Sequence, residues 1–406
     1  MIYWDSKIQE QLTGQEKKIF LCKKQIIKYL YRYGTLSGAK IAKKINLSSP
    51  TTQVYLNELI EDNIIEYRGK GESVGGRRPN IYGLVKNSVY LLGIDVSQNK
   101  FSVALYNNEL QNISGIKTKA LKLGNDLSAV DTIYEFAKDL IVASGVDENK
   151  IMGIGINMPG LIDSEAGINY TYLTDSVMPI QDLFKSKFKL PVYIENDSKA
   201  RALAELRHGF ARTAKNALVI QLDWGLGMGM VFNGKLYRGN SGFSGEFSHI
   251  LINEEGLLCT CGKRGCLETL ASGRAIVRQA YEELNKNSNS SLHQVLINNN
   301  GQITPEDIVN AAIEGDQMAL SLINNMGQIL GKGLSYLIQI LNPELIVLGG
   351  TISQAKEYLL TPVNQALFKY CIPKLREDTL IKVSELGLDA GLLGAVSVVL
   401  ERALDN

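Results

Sequence analysis

Three of the five cysteines fall in the run Cys259-Thr260-Cys261-Gly262-Lys263-Arg264-Gly265-Cys266, and His249, one of only three histidines, stands ten residues before it. Thiolates and imidazole at such spacing suit a tetrahedral ion of the zinc type. The Gly-Lys-Arg-Gly turn lets them fold around one point, so this stretch must close on a centre wherever it lies in the fold. His249, Cys259, Cys261 and Cys266 together leave no position for water, so the ion expected is structural Zn2+ with no hydrolytic role. A redox pair or a buried apolar cysteine cluster is the alternative.

With most cysteines in one cluster, the chain reads as the product of a reducing compartment. No apolar run approaches the roughly 18 residues of a membrane span, and the start Met1-Ile2-Tyr3-Trp4-Asp5 lacks a secretion-signal core. A cytoplasmic location without a membrane partner is therefore expected. The 406 residues, 45% hydrophobic, suffice for two or three globular domains. The net charge of +1 conceals a division: residues 1–90 hold 15 Lys and Arg against 8 Asp and Glu, and the remainder is acidic. A basic module on an acidic body fits a nucleic-acid contact, because Lys and Arg displace phosphate counterions. A solvated basic face is the plainer reading.

Within residues 1–88, Ile26, Ile27 and Leu30 recur at helical spacing over 23–33, and Gly34 is placed to stop that helix. Ser37 can cap a short second helix with Ile41 and Ile45 inward. Asn46-Leu47-Ser48 then turns into a third helix carrying Val54, Leu56, Leu59 and Ile60. This is a helix-turn-helix pattern. Ser49, Thr51, Thr52, Gln53 and Tyr55 at the start of the third helix suit phosphates and base edges, although Tyr55 equally suits a core. Ile64–Arg68 and Ile81–Val85 flank a glycine-rich tip, Gly75-Gly76-Arg77-Arg78-Pro79, which reads as a two-stranded wing. Arg77 and Arg78 are then placed for a DNA groove, against the alternative of a charged hinge.

Residues 89–406 alternate strand and helix, with strands expected at 89–96, 100–106, 151–156, 192–194, 217–222, 228–232 and 345–348. Leu92-Gly93-Ile94-Asp95 and Ile220-Gln221-Leu222-Asp223 each open a strand-turn-strand unit, as two halves of a duplicated α/β fold would. The expected lobes are 89–200 with the C-terminal end, and 201–385. Glu195-Asn196-Asp197 directly follows a short strand, where polar groups line clefts.

These motifs resemble the ROK family, which joins bacterial sugar repressors and sugar kinases on an actin-like, ribonuclease-H-like ATPase fold. The resemblance rests on the winged helix, Pro159-Gly160-Leu161-Ile162-Asp163, Glu195-Asn196-Asp197, Gly245-Glu246-Phe247-Ser248-His249, the cysteine knuckle with Glu268, and Leu345-Ile346-Val347-Leu348-Gly349-Gly350. The run from Tyr237 to Glu246 looks like the xylose-repressor branch. The resemblance implies an α/β chain in which an N-terminal winged helix-turn-helix precedes the duplicated body. It implies that Asn196, Asp197, Glu246, His249 and Glu268 hydrogen-bond sugar hydroxyls. Carboxylates accept from hydroxyls, and a histidine with one nitrogen on zinc can offer the other, its tautomer fixed.

Kinases of that family resemble Asp-x-Gly-Gly-Thr in the first phosphate loop, whereas this chain reads Asp95-Val96-Ser97-Gln98-Asn99. In the second loop Leu226 stands for a threonine and Met230 for a glycine, with Asp223 adding negative charge nearby. ATP is therefore not expected, and Asp197, the general base of a kinase, would here accept from ligand. The implied function is a sugar-responsive repressor of carbohydrate-utilisation genes, bound to operator DNA as a homodimer or dimer of dimers; a sugar kinase is the alternative. Family members often carry a tryptophan after the Pro-Gly motif, which Tyr170–Met178 lacks, so xylose, N-acetylglucosamine or a larger sugar stays open.

Overall fold

The computed structural model describes residues 11–72, 78–286 and 289–405. Turn and cap chemistry sets out the winged helix. Gly34, at φ 74°, ends α1 (Gly14–Tyr33). The two-residue strand β1 (Leu36–Ser37) leads into α2 (Gly38–Ile45), whose Lys40 amide donates to the Ser37 hydroxyl. Asn46 in the left-handed region closes α2, and Ser48 caps α3 (Ser49–Glu61), with Pro50 in its first turn. The wing strands are β2 (Ile65–Lys70) and β3 (Asn80–Leu84). The wing sheet has three strands, not the two expected, because β1 pairs with β3 through Leu36 and Tyr82. α1 also begins earlier than its apolar spacing suggests; its polar first turns are held by Phe20, 2% exposed.

The first five-stranded sheet contains β4 (Tyr90–Val96), β5 (Lys100–Asn107), β6 (Lys117–Ala120), β7 (Ile151–Met158) and, beyond the two-residue strands β8 (Ile162–Asp163) and β9 (Ile168–Asn169), β10 (Val192–Asn196). Its order is β10-β7-β4-β5-β6: an antiparallel meander β4-β5-β6 with β7 and β10 added parallel. Helices α4 (Ser128–Ser144) and α5 (Ile180–Phe188) pack on it through Ile133, Ala137 and Phe184.

Helix α6 (Asp197–His208) opens the second half. The strands β11 (Ala217–Leu222), β12 (Leu226–Phe232), β13 (Lys235–Tyr237), β14 (Leu345–Gly349) and β15 (Leu380–Val383) repeat the first topology: an antiparallel meander β11-β12-β13, then β14 and β15 parallel. The same order and sense of strands, arrived at twice, is the expected duplication. Between and after them run α7 (Gly273–Leu284), α8 (Leu292–Asn298), α9 (Pro305–Ile313), the long α10 (Gln317–Leu341), α11 (Glu357–Tyr370) and α12 (Pro373–Glu377). Among the described residues no helix is long and apolar enough to cross a membrane.

The last helix, α13 (Ala390–Asp405), returns to the first half, so the chain forms two compact units that divide at Asp197/Ser198 and Ala390/Gly391. The winged helix belongs to the first. One apolar cluster runs from Ile26, Leu30, Leu56 and Leu59 through Leu84, Val89 and Leu91 to Leu392, Val396 and Leu404. Polar links cross the same seam: Asn108 Nδ2 donates to the Val85 carbonyl at 2.6 Å, and Arg68 lies 3.6 Å from Glu109.

α13 reaches the sheet because β7 has no side chain at Gly155, where a Cβ would stand 1.9 Å from the Ala395 carbonyl oxygen. Gly155→Ala is therefore expected to destabilise the protein by about 2 kcal/mol through overpacking. Urea unfolding measures this; an unchanged midpoint would contradict the packing.

Candidate functional site

Local backbone demands build the knuckle. His249 ends a short 3₁₀ turn (Phe247–His249), and Cys266 precedes another (Leu267–Thr269). Between them a tight hairpin forms through the bridges Leu251↔Cys266 and Leu258↔Arg264, and the Cys259 amide donates to Lys263 O at 2.7 Å. Gly265 sits at φ 74°, and a Cβ there would lie 1.6 Å from Asn253 O, so no other residue permits this turn.

The result gathers the nitrogen of His249 and the sulfurs of Cys259, Cys261 and Cys266 within 4.8 Å of one another. Cys259 Sγ is 3.6 Å from His249 Nδ1, and Cys261 Sγ is 3.6 Å from Cys266 Sγ. A tetrahedral zinc site with bonds of about 2.0–2.3 Å has ligand-to-ligand edges of about 3.4–3.8 Å. Two edges already match, and with all four donors within 4.8 Å of one another the set suits one ion after a small inward closure. Burial, then the adjoining thiols of Cys261 and Cys259, push the Cys266 thiol up to about 12, an energetic cost that a divalent cation would remove.

The knuckle arranges the carboxylates. With Nδ1 toward the sulfurs, His249 turns Nε2 to Glu246, 3.8 Å away. Glu268 lies in the turn after Cys266, its Oε2 3.8 Å from Cys259 Sγ and 3.4 Å from the Arg274 guanidinium. Glu246, His249 and Glu268 are thus brought together in the second unit. Arg274 was not singled out in the sequence.

Asn196 and Asp197 end the first unit at the β10 to α6 junction. Asn196 Nδ2 donates to Gly160 O at 3.1 Å. Asn169, also missed from sequence, ties the same loop: its Nδ2 donates to Pro159 O at 3.0 Å while its Oδ1 accepts from the Thr171 and Tyr172 amides. Gly160, at φ 104°, leaves room for Thr171.

The second loop keeps its glycines for packing. Cβ atoms on Gly227 and Gly229 would fall 2.0 Å from Ser198 Oγ and 2.4 Å from Ala202 Cβ of α6. The negative charge expected at Asp223 is present and tied down: its Oδ1 accepts from the Thr351 amide at 2.7 Å and hydroxyl at 2.8 Å, and its other oxygen from Gln221. Burial raises its pKa, but Arg201, Thr351 and Gln221 outweigh that and hold it below the usual carboxylate range.

On the winged helix, Ser49 and Gln53 are exposed and Thr51 and Tyr55 half-buried. Thr52 is a correction: it is 1% exposed and its hydroxyl donates to Ser48 O at 2.9 Å, so it shapes the start of α3 from inside. Val54 and Ile60, 52% and 38% exposed, lie off the buried stripe of Leu56 and Leu59. Arg78 is exposed; Arg77 lies outside the described residues. A groove of about 370 Å³ between α3 and the wing is lined by Gly38, Ser49, Gln53, Lys70, Arg78 and Tyr82.

Residues 91–402 match the ROK family model and residues 23–66 a winged helix-turn-helix DNA-binding model. The chain belongs to the ROK family. It is 30% identical to the xylose repressor of Bacillus spizizenii over 94% of its own length and 95% of the relative's. Its fold matches the crystal structure of a ROK family transcriptional regulator, a homologue of the Escherichia coli Mlc protein, at a TM-score of 0.80, with 26% identity and 94% and 96% of the two chains covered. A ROK glucokinase from Streptomyces griseus, solved with glucose and AMPPNP, matches at 0.65 with 29% identity, over 76% of this chain and 98% of that one.

The Asp223 network makes a pH-dependent contribution. A depressed carboxylate pKa stabilises the fold above its unfolded value, about 4, and the contribution fades as pH falls through the folded value. Asp223→Asn is expected to lower stability at pH 7, with the gap to wild type narrowing below about pH 4. A gap that stays constant in urea unfolding across that range would contradict the assignment.

Proposed function

We propose that this chain is a sugar-responsive transcriptional repressor of carbohydrate-utilisation genes. The observation that carries the reading is a winged helix packed in one apolar cluster with the first sheet and last helix of a ROK body, in a chain that aligns with a xylose repressor along both lengths. Ser49 and Thr51 of α3 and the wing arginines Arg77 and Arg78 contact operator DNA, whereas Tyr55 packs against the core of the module. Asn196, Asp197, Glu246, His249 and Glu268 hold sugar hydroxyls, and zinc on His249, Cys259, Cys261 and Cys266 orders the last three of these. The repressor acts as a dimer on two half-sites about one helical turn or a multiple apart. Bound sugar selects a body state whose two modules no longer match that spacing, a coupling for which about 1–3 kcal/mol suffices.

The test is the affinity for DNA upstream of the chain's own coding region, at one salt concentration, against a panel of sugars and sugar phosphates. Specific binding that one sugar weakens by tenfold or more is expected. Binding no tighter than to unrelated DNA would overturn the reading.

The glucokinase likeness supports a second reading, a sugar kinase. The first loop's Ser97-Gln98-Asn99, where kinases resemble Gly-Gly-Thr, speaks against it. A coupled assay with ATP and the same sugars is expected to show no turnover, whereas about 1–100 per second would replace the repressor with a kinase.

The zinc assignment has its own outcome. Cys261→Ser is expected to lose the one zinc per chain and the response to sugar while retaining operator binding; metal analysis and DNA titration read both, and a zinc-free, fully responsive variant would contradict it.

A further inference from the structure

We propose that Gln53 is a positioning residue that latches the wing to α3 through Tyr82, and that it does not read a base. The proposal rests on the DNA-binding reading and says which part of that face is machinery and which is contact.

Gln53 stands exposed near the start of α3, where a glutamine would ordinarily be assigned to adenine through the paired oxygen and N–H of its amide. Here that edge is taken. The Tyr82 hydroxyl lies 3.2 Å from both Oε1 and Nε2 of Gln53, and Asn57 Oδ1 accepts from Nε2 at 2.9 Å. With Tyr82 across its two-pronged edge and Asn57 on the remaining N–H, the amide has no donor and acceptor pair left to present to a base.

Tyr82 gives the contact its consequence. It is 3% exposed, and the side-chain amide of Gln53 is the protein partner of its hydroxyl. It sits in the middle strand of the wing sheet, paired with Leu36 on one side and Tyr67 on the other. A Cβ on Gly38 would be 3.5 Å from its ring, so α2 abuts it too. Two residues along β3, Asn80 accepts from Lys70 Nζ at 2.5 Å, and Arg78 follows toward the tip. The angle between α3 and these cations is set by what holds Tyr82: on the α3 side Leu56 and Leu59 share its apolar cluster, and Gln53 adds the directional polar tie.

The distinguishing experiment is the salt dependence of operator affinity, because its slope counts phosphate contacts at about 0.9 each. Arg78→Ala is expected to flatten the slope by about 0.9. Gln53→Ala is expected to flatten it by at least as much, although it removes no charge, and to weaken binding about 3- to 10-fold on every operator sequence. Tyr82→Phe, which deletes one oxygen and leaves the core ring in place, should reproduce both effects, and the double variant should add nothing. An unchanged slope in Gln53→Ala overturns the latch whatever happens to affinity; a loss of preference confined to one base pair, with Tyr82→Phe behaving as wild type, makes Gln53 a base reader instead. Should the wild-type chain bind no operator, the DNA reading fails first and takes the latch with it.

Discussion

The structure depends on the return of α13 to the first sheet. Its residues Leu392, Val396 and Leu404 complete a core otherwise made by the winged helix and by β4, β5 and β7, so the long stretch of chain between Met152 and Leu392 is bracketed by one hydrophobic cluster. The closeness is made possible by absent side chains. A Cβ on Gly93 would lie 3.0 Å from Leu392 O and one on Gly155 1.9 Å from Ala395 O, so backbone meets backbone without a spacer. A module built into the core in this way has no swivel of its own, and its orientation follows the sheet it is packed on.

The same economy governs the second unit. Its knuckle is too short to bury an apolar core, and a metal ion on the four gathered donors would supply the cohesion instead. An ion there would fix the tautomer of His249, whose Nε2 already faces Glu246, while Cys266 carries Glu268 two residues on. A side chain whose geometry is set by a metal loses little entropy on binding a hydroxyl, which is how a polar site gains affinity for a polar ligand.

Much of this was legible because it is local. Ser37, Ser48, Gly34 and Asn46 act as caps through their own backbone preferences, and the cysteine spacing encodes its own turn. The central strands were read from continuous apolar runs. What escaped depends on tertiary partners: β6, Lys117–Ala120, is wholly exposed and has no alternation, so only its pairing with β5 makes it a strand. Asn169 and Arg274 act by reaching segments 10 and 6 residues away. Thr52 is inward because with Leu56 and Leu59 it falls at i, i+4 and i+7, the buried stripe, whereas Val54 and Ile60 lie off it. The glycines of Gly227 and Gly229 look like a phosphate loop in sequence, and only the nearness of α6 shows that they also serve packing.

On the proposed function sugar and DNA act on one equilibrium, so their affinities are tied by linkage. Sugar affinity should be measured by calorimetry on the free protein and on the protein saturated with operator. If the sugar weakens operator binding by some factor, operator must weaken sugar binding by the same factor. Equal factors are the predicted result. A sugar affinity that is indifferent to operator would contradict the account, because the body would then sense without controlling the module packed upon it.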